Sequence, residues 1–458
     1  MTEERASETV RLKPDTTYVG LAPDTTHGVQ GDFAYRWVIL AFAILAYGTT
    51  QFSRLNFAGI QRFLADDLAL DRGAIGLLGS VFFYSYALFQ MPWGIASDRI
   101  ANRLIVGLGI LFTAATMVGF ASGQTWGSLL VWRVLSGIAA AAVYIPLTGA
   151  IARWFPDRER SFSQGTLGGF GGALGEGMAY FLLPVLAIYF ASGWRQGTNI
   201  VAGVIAIIGI LCLVFLKSAP SGQPATTRTP FDWTLLRDMQ LWSYALLYSG
   251  FVIGIRGTQT WIAVYAADVY IGAHGMAVNQ AVVSGGLLAL LAYSIAGRGF
   301  GCSLAGKMSD LLARRGVPRV AVLVGWLVLG MALLQILSMG VTAIAAVAIV
   351  AALLGTSVNL FSLIPAAISE VYGRQRTASV SAFANMCGQF AGATALAVSG
   401  YVGISLNTQP GNALTEYRGI WLSTLVGMAI ATILGVAAQI AVRTPSRSQP
   451  ASAAPQAS

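Results

Sequence analysis

Long apolar stretches dominate this chain of 458 residues. Only 10% of its residues are charged, whereas soluble domains carry about 25%, so the charges are too few to cover a water-exposed surface. A bilayer-spanning helix needs roughly 20 mostly apolar residues. Twelve such stretches lie near 36–59, 73–95, 103–121, 126–152, 162–190, 198–217, 240–267, 277–306, 317–338, 341–369, 377–401 and 417–442. The sequence predicts an all-α membrane protein with twelve transmembrane helices.

A short loop motif occurs twice, half a chain apart. The first copy, after the second predicted span, contains Gly94, Asp98, Arg99 and Arg103, and the second copy, after the eighth, contains Gly306, Asp310 and Arg314. The spacing from glycine to aspartate is the same in both. A polar, proline-rich segment at 218–238 divides the spans into two sets of six. Such a duplication is common in secondary transporters, whose sites lie between the repeats.

The repeat defines the predicted domain organisation. We predict two six-helix pseudo-repeat bundles, at 33–217 and 239–443, joined by a cytoplasmic linker at 218–238. Residues 1–32 and 444–458 are polar or rich in Pro, Ser and Ala, so we expect them to form disordered cytoplasmic tails.

The basic residues indicate membrane orientation rather than nucleic-acid binding. The net charge is +9, but the loops predicted to face outward hold few basic residues, namely Arg62, Arg72, Arg195 and Arg418, while most others lie on the opposite side. Cytoplasmic loops of membrane proteins carry this excess of Lys and Arg. We therefore expect a multi-pass protein of the bacterial inner membrane, with both termini in the cytoplasm and no nucleic-acid partner.

Six plus six spans with the Gly94–Arg103 loop resemble the major facilitator superfamily, as does Arg133-Val-Leu-Ser-Gly137 in the fourth span. Ser53-Arg54-Leu-Asn56 and the segment from Tyr84 to Pro92 resemble its anion:cation symporter branch, which carries organic acids. The segment 259–270 also resembles less characterised facilitators. This sequence has Ser53 and Ala140 where that branch usually has the acids of proton coupling.

Ionisable residues inside spans are few and are functional candidates, because each is costly unless it is paired or faces water. Four are cations, Arg54, Arg133, Arg256 and Arg298, and one is an acid, Glu176. This excess of positive charge attracts anions. Arginine binds a carboxylate or phosphate through two parallel hydrogen bonds and stays charged.

These side chains suggest distinct roles. Arg54 and Arg256, one from each half, are expected to bind an anionic substrate together. Arg298 is a third candidate ligand, although it can also extend to the membrane surface. Glu176 is either the acid that couples transport to protons or a static counter-ion, and Arg133 is either part of a gate or proton path or a structural residue.

Other polar and aromatic residues in the spans can complete the binding site or form interhelical hydrogen bonds. The candidates are Tyr84, Tyr86, Gln259, Trp261, Asn359, Asn385 and Gln389, with Gln90 nearby. The two loop motifs, together with Arg133, are predicted to form a gate in which aspartate and arginine tie neighbouring helices. The alternative interpretation of the loop arginines is a positively charged anchor on the cytoplasmic side.

The sequence therefore predicts a secondary active transporter for a small organic anion of the carboxylate or sugar-acid type. It is expected to work by alternating access as a monomer in lipid, with a proton or sodium ion as co-ion. No phosphate-binding loop is present, no histidine lies in a span, and no cofactor or metal site is expected. The alternatives are an efflux pump for lipophilic compounds and a non-transporting membrane sensor or assembly protein; exchange or facilitated diffusion also fits the missing acids.

Overall fold

The computed structural model describes residues 26–191, 193–217, 233–360, 363–405 and 413–443, and almost all of them are helical. The helices of the N-terminal half are α1 (Thr26–Leu68), α2 (Arg72–Arg99), α3 (Asn102–Ser122), α4 (Trp126–Ala141), α5 (Tyr144–Trp154), α6 (Asp157–Gly165), α7 (Gly172–Tyr189) and α8 (Gly193–Phe215). Those of the C-terminal half are α9 (Met239–His274), α10 (Val278–Leu288), α11 (Cys302–Arg314), α12 (Arg319–Ser338), α13 (Ile344–Val358), α14 (Leu363–Ser405) and α15 (Ala413–Arg443).

Several predicted spans consist of more than one helical segment. The fourth contains α4 and α5, which are separated at Ala142–Val143. Pro146, in the first turn of α5, has no N–H to donate backward, so it favours a helix start there. The fifth and eighth spans each contain a π-helical segment, Thr166–Gly171 and Ala289–Gly301. Segments of this kind often occur at functional sites.

Within the described residues, ten helical stretches are long and apolar enough to cross a membrane. The predicted seventh and eleventh spans are helical but do not belong to these ten. The seventh corresponds to α9, in which Arg256, Gln259 and Asp268 interrupt the apolar sequence and are buried. Helices α1, α10, α12, α13, α14 and α15 all pack against α9. A helix surrounded by protein can be more polar than one that faces lipid.

The ends of the predicted domains differ from the helix boundaries. Helix α1 begins at Thr26, inside the segment predicted to be a disordered tail. The rest of that tail, the C-terminal tail 444–458 and most of the predicted linker lie outside the described residues. Of the linker, the structure describes a 3₁₀ turn at Trp233–Arg237.

The two halves meet along two helix pairs and a central contact. Helix α2 packs on α14, and α7 packs on α10 and the following π-helical segment. Helix α1 packs on α9 between these pairs. The candidate arginines Arg54 and Arg256 lie on α1 and α9, so the fold places them at the interface between the halves.

Candidate functional site

Arg54 and Arg256 come together around one aromatic ring at the interface. The guanidinium carbon of Arg54 lies 5.7 Å from the centre of the Phe83 ring, and that of Arg256 lies 3.7 Å from it. Arg54 also lies 4.6 Å from the ring centre of Tyr86. Both arginines are buried, at 6% and 3% exposure. Aromatic faces attract cations but do not neutralise their charge, so the rings leave both guanidinium charges in place.

Neutral amide side chains surround Arg256. Its Nη1 donates to Oε1 of Gln259 at 2.7 Å, and its Nη2 donates to Oε1 of Gln389 at 2.8 Å. Gln389 in turn donates to Asn385, which donates to Gln90 of the other half at 3.0 Å. Arg256 is therefore held in place by dipoles, and a row of amides leads from it across the interface.

Glu176 and Arg298 form a buried ion pair between the halves. Nη1 of Arg298 contacts Oε2 of Glu176, and the side chains are 5% and 0% exposed. Arg298 is thus directed at the acid and not at the membrane surface. Its Nη2 also reaches the carbonyl of Gly168 at 3.5 Å. The two charges compensate each other where α7 packs on the eighth span.

Tyr180 connects this ion pair to the arginine cluster. Its hydroxyl donates to the carbonyl of Gln259 at 2.6 Å and lies 3.3 Å from Oε1 of Glu176. Because the side chain of Gln259 accepts from Arg256, the acid and the arginine share one neighbouring residue. A change in the charge or position of Glu176 can therefore affect Arg256 through the Tyr180 hydroxyl and Gln259.

Arg133 holds the backbone of α1 directly behind Arg54. It donates to the carbonyls of Leu78, Ser53 and Arg54 at 3.2, 3.0 and 3.1 Å, and to Oδ1 of Asn56 at 3.1 Å. Its guanidinium lies 4.6 Å from the ring centres of both Phe57 and Phe82, and the residue is 1% exposed. Arg133 thus fixes the position of Arg54 without facing the interface itself.

The remaining predicted ligands occupy varied positions. Tyr84 shares a hydrogen bond of 2.7 Å with Thr394 of the other half. Asn359 donates to the Tyr293 hydroxyl and to the Gly355 carbonyl, so it bonds within the C-terminal half. Trp261 is fully buried and donates to Ser399 at 3.2 Å. Four of the predicted ligands therefore lie beside the two arginines, either in contact with them or one hydrogen bond away: Tyr86, Gln259, Asn385 and Gln389. Asn359 and Trp261 instead form interhelical hydrogen bonds.

A second charged cluster closes one end of the interface, where the turn between α1 and α2 lies. Asp268 of α9 accepts from Arg62 of α1 at 2.7 Å and from Arg72 of α2 at 3.3 Å. The Tyr417 hydroxyl donates to the same carboxylate at 2.7 Å, and Glu416 contacts Arg72. We call this end, which the charge distribution predicts to face outward, the outer end.

In the sequence, Arg62 and Arg72 stand out only as charges of outer loops, and Asp268 and Glu416 are not among the predicted site residues. One available signal was the presence of two acids near the outer ends of predicted spans with two arginines on the same side. Backbone packing closes the outer end as well, since a Cβ atom on Gly286 would clash with the carbonyl of Tyr180 in the other half. The outer end is therefore closed.

The predicted gate residues lie at the opposite end. Asp310 accepts from Arg319 of α12 at 2.9 Å, and Arg319 also donates to Glu370. This cluster joins helices within the C-terminal half, and the partner of its aspartate is Arg319. Arg103 and Arg314 are exposed, Gly94 is buried and Gly306 is partly exposed, while the side chains of Asp98 and Arg99 lie outside the described part of the chain. Among the described residues, no ion pair joins the halves at this end.

Comparison with known proteins gives a consistent assignment. A family model described as the Major Facilitator Superfamily matches residues 39–396. A probable sulfoacetate transporter of Cupriavidus necator is 28% identical over 42% of this chain and 44% of its own length. A hexuronate transporter of Bacillus subtilis is 26% identical over 40% of this chain and 42% of its own. The matches thus span less than half the length of these curated relatives.

Solved structures share the overall fold. A bacterial homologue of the human lysosomal transporter Spinster superposes with a TM-score of 0.69 at 18% identity, covering 90% of this chain and 97% of the other. The likeness at this identity concerns the fold alone. It confirms the predicted helical membrane fold.

Proposed function

Because the chain belongs to the Major Facilitator Superfamily, we propose that it is a secondary active transporter that moves a small organic anion across the bacterial inner membrane by alternating access. The single observation that carries the choice of substrate class is the meeting of Arg54 and Arg256, one from each half, around Phe83. The names of its relatives, which include sulfoacetate and hexuronate transporters, support an anionic substrate.

The charge around these arginines favours an anion over a lipophilic cation. Glu176, the acid that Tyr180 connects to the neighbour of Arg256, is already paired with Arg298. An efflux site for lipophilic cations needs an acid that faces the substrate, and a guanidinium pair repels a cation. An anion that contacts both arginines ties the halves together, and this links binding to their relative movement.

Alternating access requires the outer end to open and the opposite end to close. In this proposal, opening separates Asp268 from Arg62 and Arg72, since these three residues connect the halves. The reverse movement brings the loop of the N-terminal half that contains Asp98 and the loop of the C-terminal half that contains Asp310 closer to the opposite half. There they act as the predicted gate. Both termini remain in the cytoplasm, and a single chain contains the whole site.

Glu176 is our candidate for co-ion coupling. It is fully buried, it is paired across the interface with Arg298, and Tyr180 connects it to the neighbour of Arg256. Protonation of Glu176 removes the attraction that holds Arg298 and thereby loosens the contact between α7 and the eighth span. Coupling through this pair replaces the acids that the related branch has at the positions of Ser53 and Ala140.

Transport by purified protein in liposomes tests this proposal. The liposomes are loaded with one organic anion from a panel, and the same anion in labelled form is added outside. Exchange of the labelled for the unlabelled anion is measured for the natural protein and for Arg54→Gln and Arg256→Gln. We expect both variants to lose exchange while keeping their fold, and Arg315→Gln, a change of an exposed arginine, to retain it. Near-normal exchange by both central variants contradicts the anion site. Thermal stabilisation of the purified protein by lipophilic cations alone favours the efflux alternative. A folded protein that exchanges no tested compound favours the sensor alternative.

A further inference from the structure

We propose that the substrate of this site carries two negative charges, one compensating Arg54 and the other Arg256. This inference rests on the proposed function and specifies its substrate class. It follows from the charges at the interface, where the buried guanidinium groups of Arg54 and Arg256 have no acidic partner among the described residues.

Two of the four central arginines are not available to pair with a ligand. Arg298 is neutralised by Glu176. Arg133 uses its donors on carbonyl and amide oxygens and is enclosed between Phe57 and Phe82. The outer cluster is balanced as well, with Arg62 and Arg72 facing Asp268 and Glu416.

Arg54 and Arg256 remain uncompensated. Among the residues that the structure describes, Arg54 has no hydrogen-bonded side-chain partner, and its Nε is buried and unpartnered. Arg256 donates only to neutral amides, and its Nε is also buried and unpartnered. Each arginine therefore offers a charged donor to a ligand, and the site presents two positive charges.

A ligand with two charges fits this arrangement better than one with a single charge. A buried charge without a counter-ion is costly, and a monovalent anion leaves one of the two guanidinium groups in that state. Both groups lie against the same ring, Phe83, at 5.7 and 3.7 Å from its centre. The two charges of the ligand are therefore expected to lie close together, as in a short dicarboxylate, a sulfocarboxylate or a phosphate monoester.

The amides beside Arg256 are suited to the uncharged part of such a ligand. Asn385 and Gln389 form a connected row with Gln90, and Tyr248 donates to Asn385 at 2.9 Å. Amide groups both donate and accept hydrogen bonds. They can therefore exchange their mutual contacts for hydroxyl or carbonyl groups of the substrate without adding charge.

Matched ligand pairs that differ by one charge test this inference. Binding to the purified full chain in detergent is measured at pH 7.5 and constant ionic strength. The pairs are succinate with monomethyl succinate, sulfoacetate with its methyl ester, and glycerol 3-phosphate with its methyl phosphodiester. We expect at least one divalent member to bind about tenfold or more tightly than its monovalent partner, because the latter leaves one buried charge unpaired.

The arginine variants identify the origin of that preference. In Arg54→Gln and in Arg256→Gln the preference should fall to about one, since one positive charge remains, whereas Arg315→Gln should keep it. Arg54→Lys and Arg256→Lys retain the charge and should keep part of the preference, which separates a loss of charge from a loss of fold.

Equal affinities within every pair, with both glutamine variants losing affinity, overturn the divalent substrate and leave the anion carrier intact. Binding of none of the six compounds, or binding that neither arginine variant alters, overturns both proposals. A preference shown only by glycerol 3-phosphate supports two charges on one phosphate group, and one shown only by succinate or sulfoacetate supports two separate groups.

Discussion

Replacing Glu176 with glutamine should destabilise the folded protein by about 3–5 kcal/mol, the usual cost of removing one partner from a buried ion pair. Glutamine has nearly the same shape and can still accept a hydrogen bond from Tyr180. The cost therefore arises from Arg298, whose side chain is 5% exposed and would keep its charge without a counter-ion. Arg298→Met should be similarly costly, because it leaves the fully buried carboxylate alone.

The double variant Glu176→Gln/Arg298→Met should recover most of that loss. It removes both charges together, and apolar or neutral replacements of a whole buried pair are often close to neutral. The interaction energy from the four proteins of this cycle should therefore be large and favourable, well above the roughly 0.5 kcal/mol error of additivity for independent sites.

Reversible unfolding in mixed detergent micelles with increasing dodecyl sulfate measures these free energies, with tryptophan fluorescence as the signal. A control is Asp67→Asn, which breaks an ion pair with Arg195 in which Asp67 is 42% exposed. Such pairs are worth about 0–1 kcal/mol. The reasoning is refuted if Glu176→Gln costs no more than the control. It is also refuted if the double variant is as unstable as the worse single variant, because the loss then reflects packing and not charge.

Three further changes test other parts of the interface. Asp268→Asn removes the acid that two outer arginines share, so a cysteine placed at the outer end should react several times faster with a membrane-impermeant thiol reagent; Asp67→Asn, whose pair lies within one half, should not change that rate. Arg133→Lys keeps the charge but leaves buried carbonyls without donors, at a cost of about 1–3 kcal/mol each. Unfolding should therefore occur at lower denaturant concentration, and anion affinity should fall. Unchanged affinity would show that Arg133 does not position Arg54. Gly286→Ala places a methyl group against the carbonyl of Tyr180 and should favour opening of the outer end in the same thiol assay, whereas Gly325→Ala, where nothing lies within 4 Å, should leave the rate unchanged.

The functional candidates could be selected from the sequence because charges within apolar spans are rare. Arg54, Arg256, Glu176 and Arg298 stand out in the sequence for this reason, and the structure places all four at the interface between the halves. Which side chains pair could not be predicted, since Glu176 and Arg298 are 122 residues apart and meet only through the packing of α7 on the eighth span. The position of Phe83 between the two arginines could not be predicted either. An aromatic residue in an apolar span carries no distinguishing local signal.

The sequence by itself determined the helical membrane fold, the repeated loop motif and the excess of positive charge within the spans, because length, apolar character and charge counts are properties of each segment alone. Only the tertiary structure decided that the outer end is closed and that Arg133 supports Arg54 from behind. It also decided that Arg298 is paired with an acid and that Arg133 is bound to backbone carbonyls, while Arg54 and Arg256 have no acidic partner among the described residues. These outcomes depend on distances between atoms of different helices, and segment properties do not determine such distances.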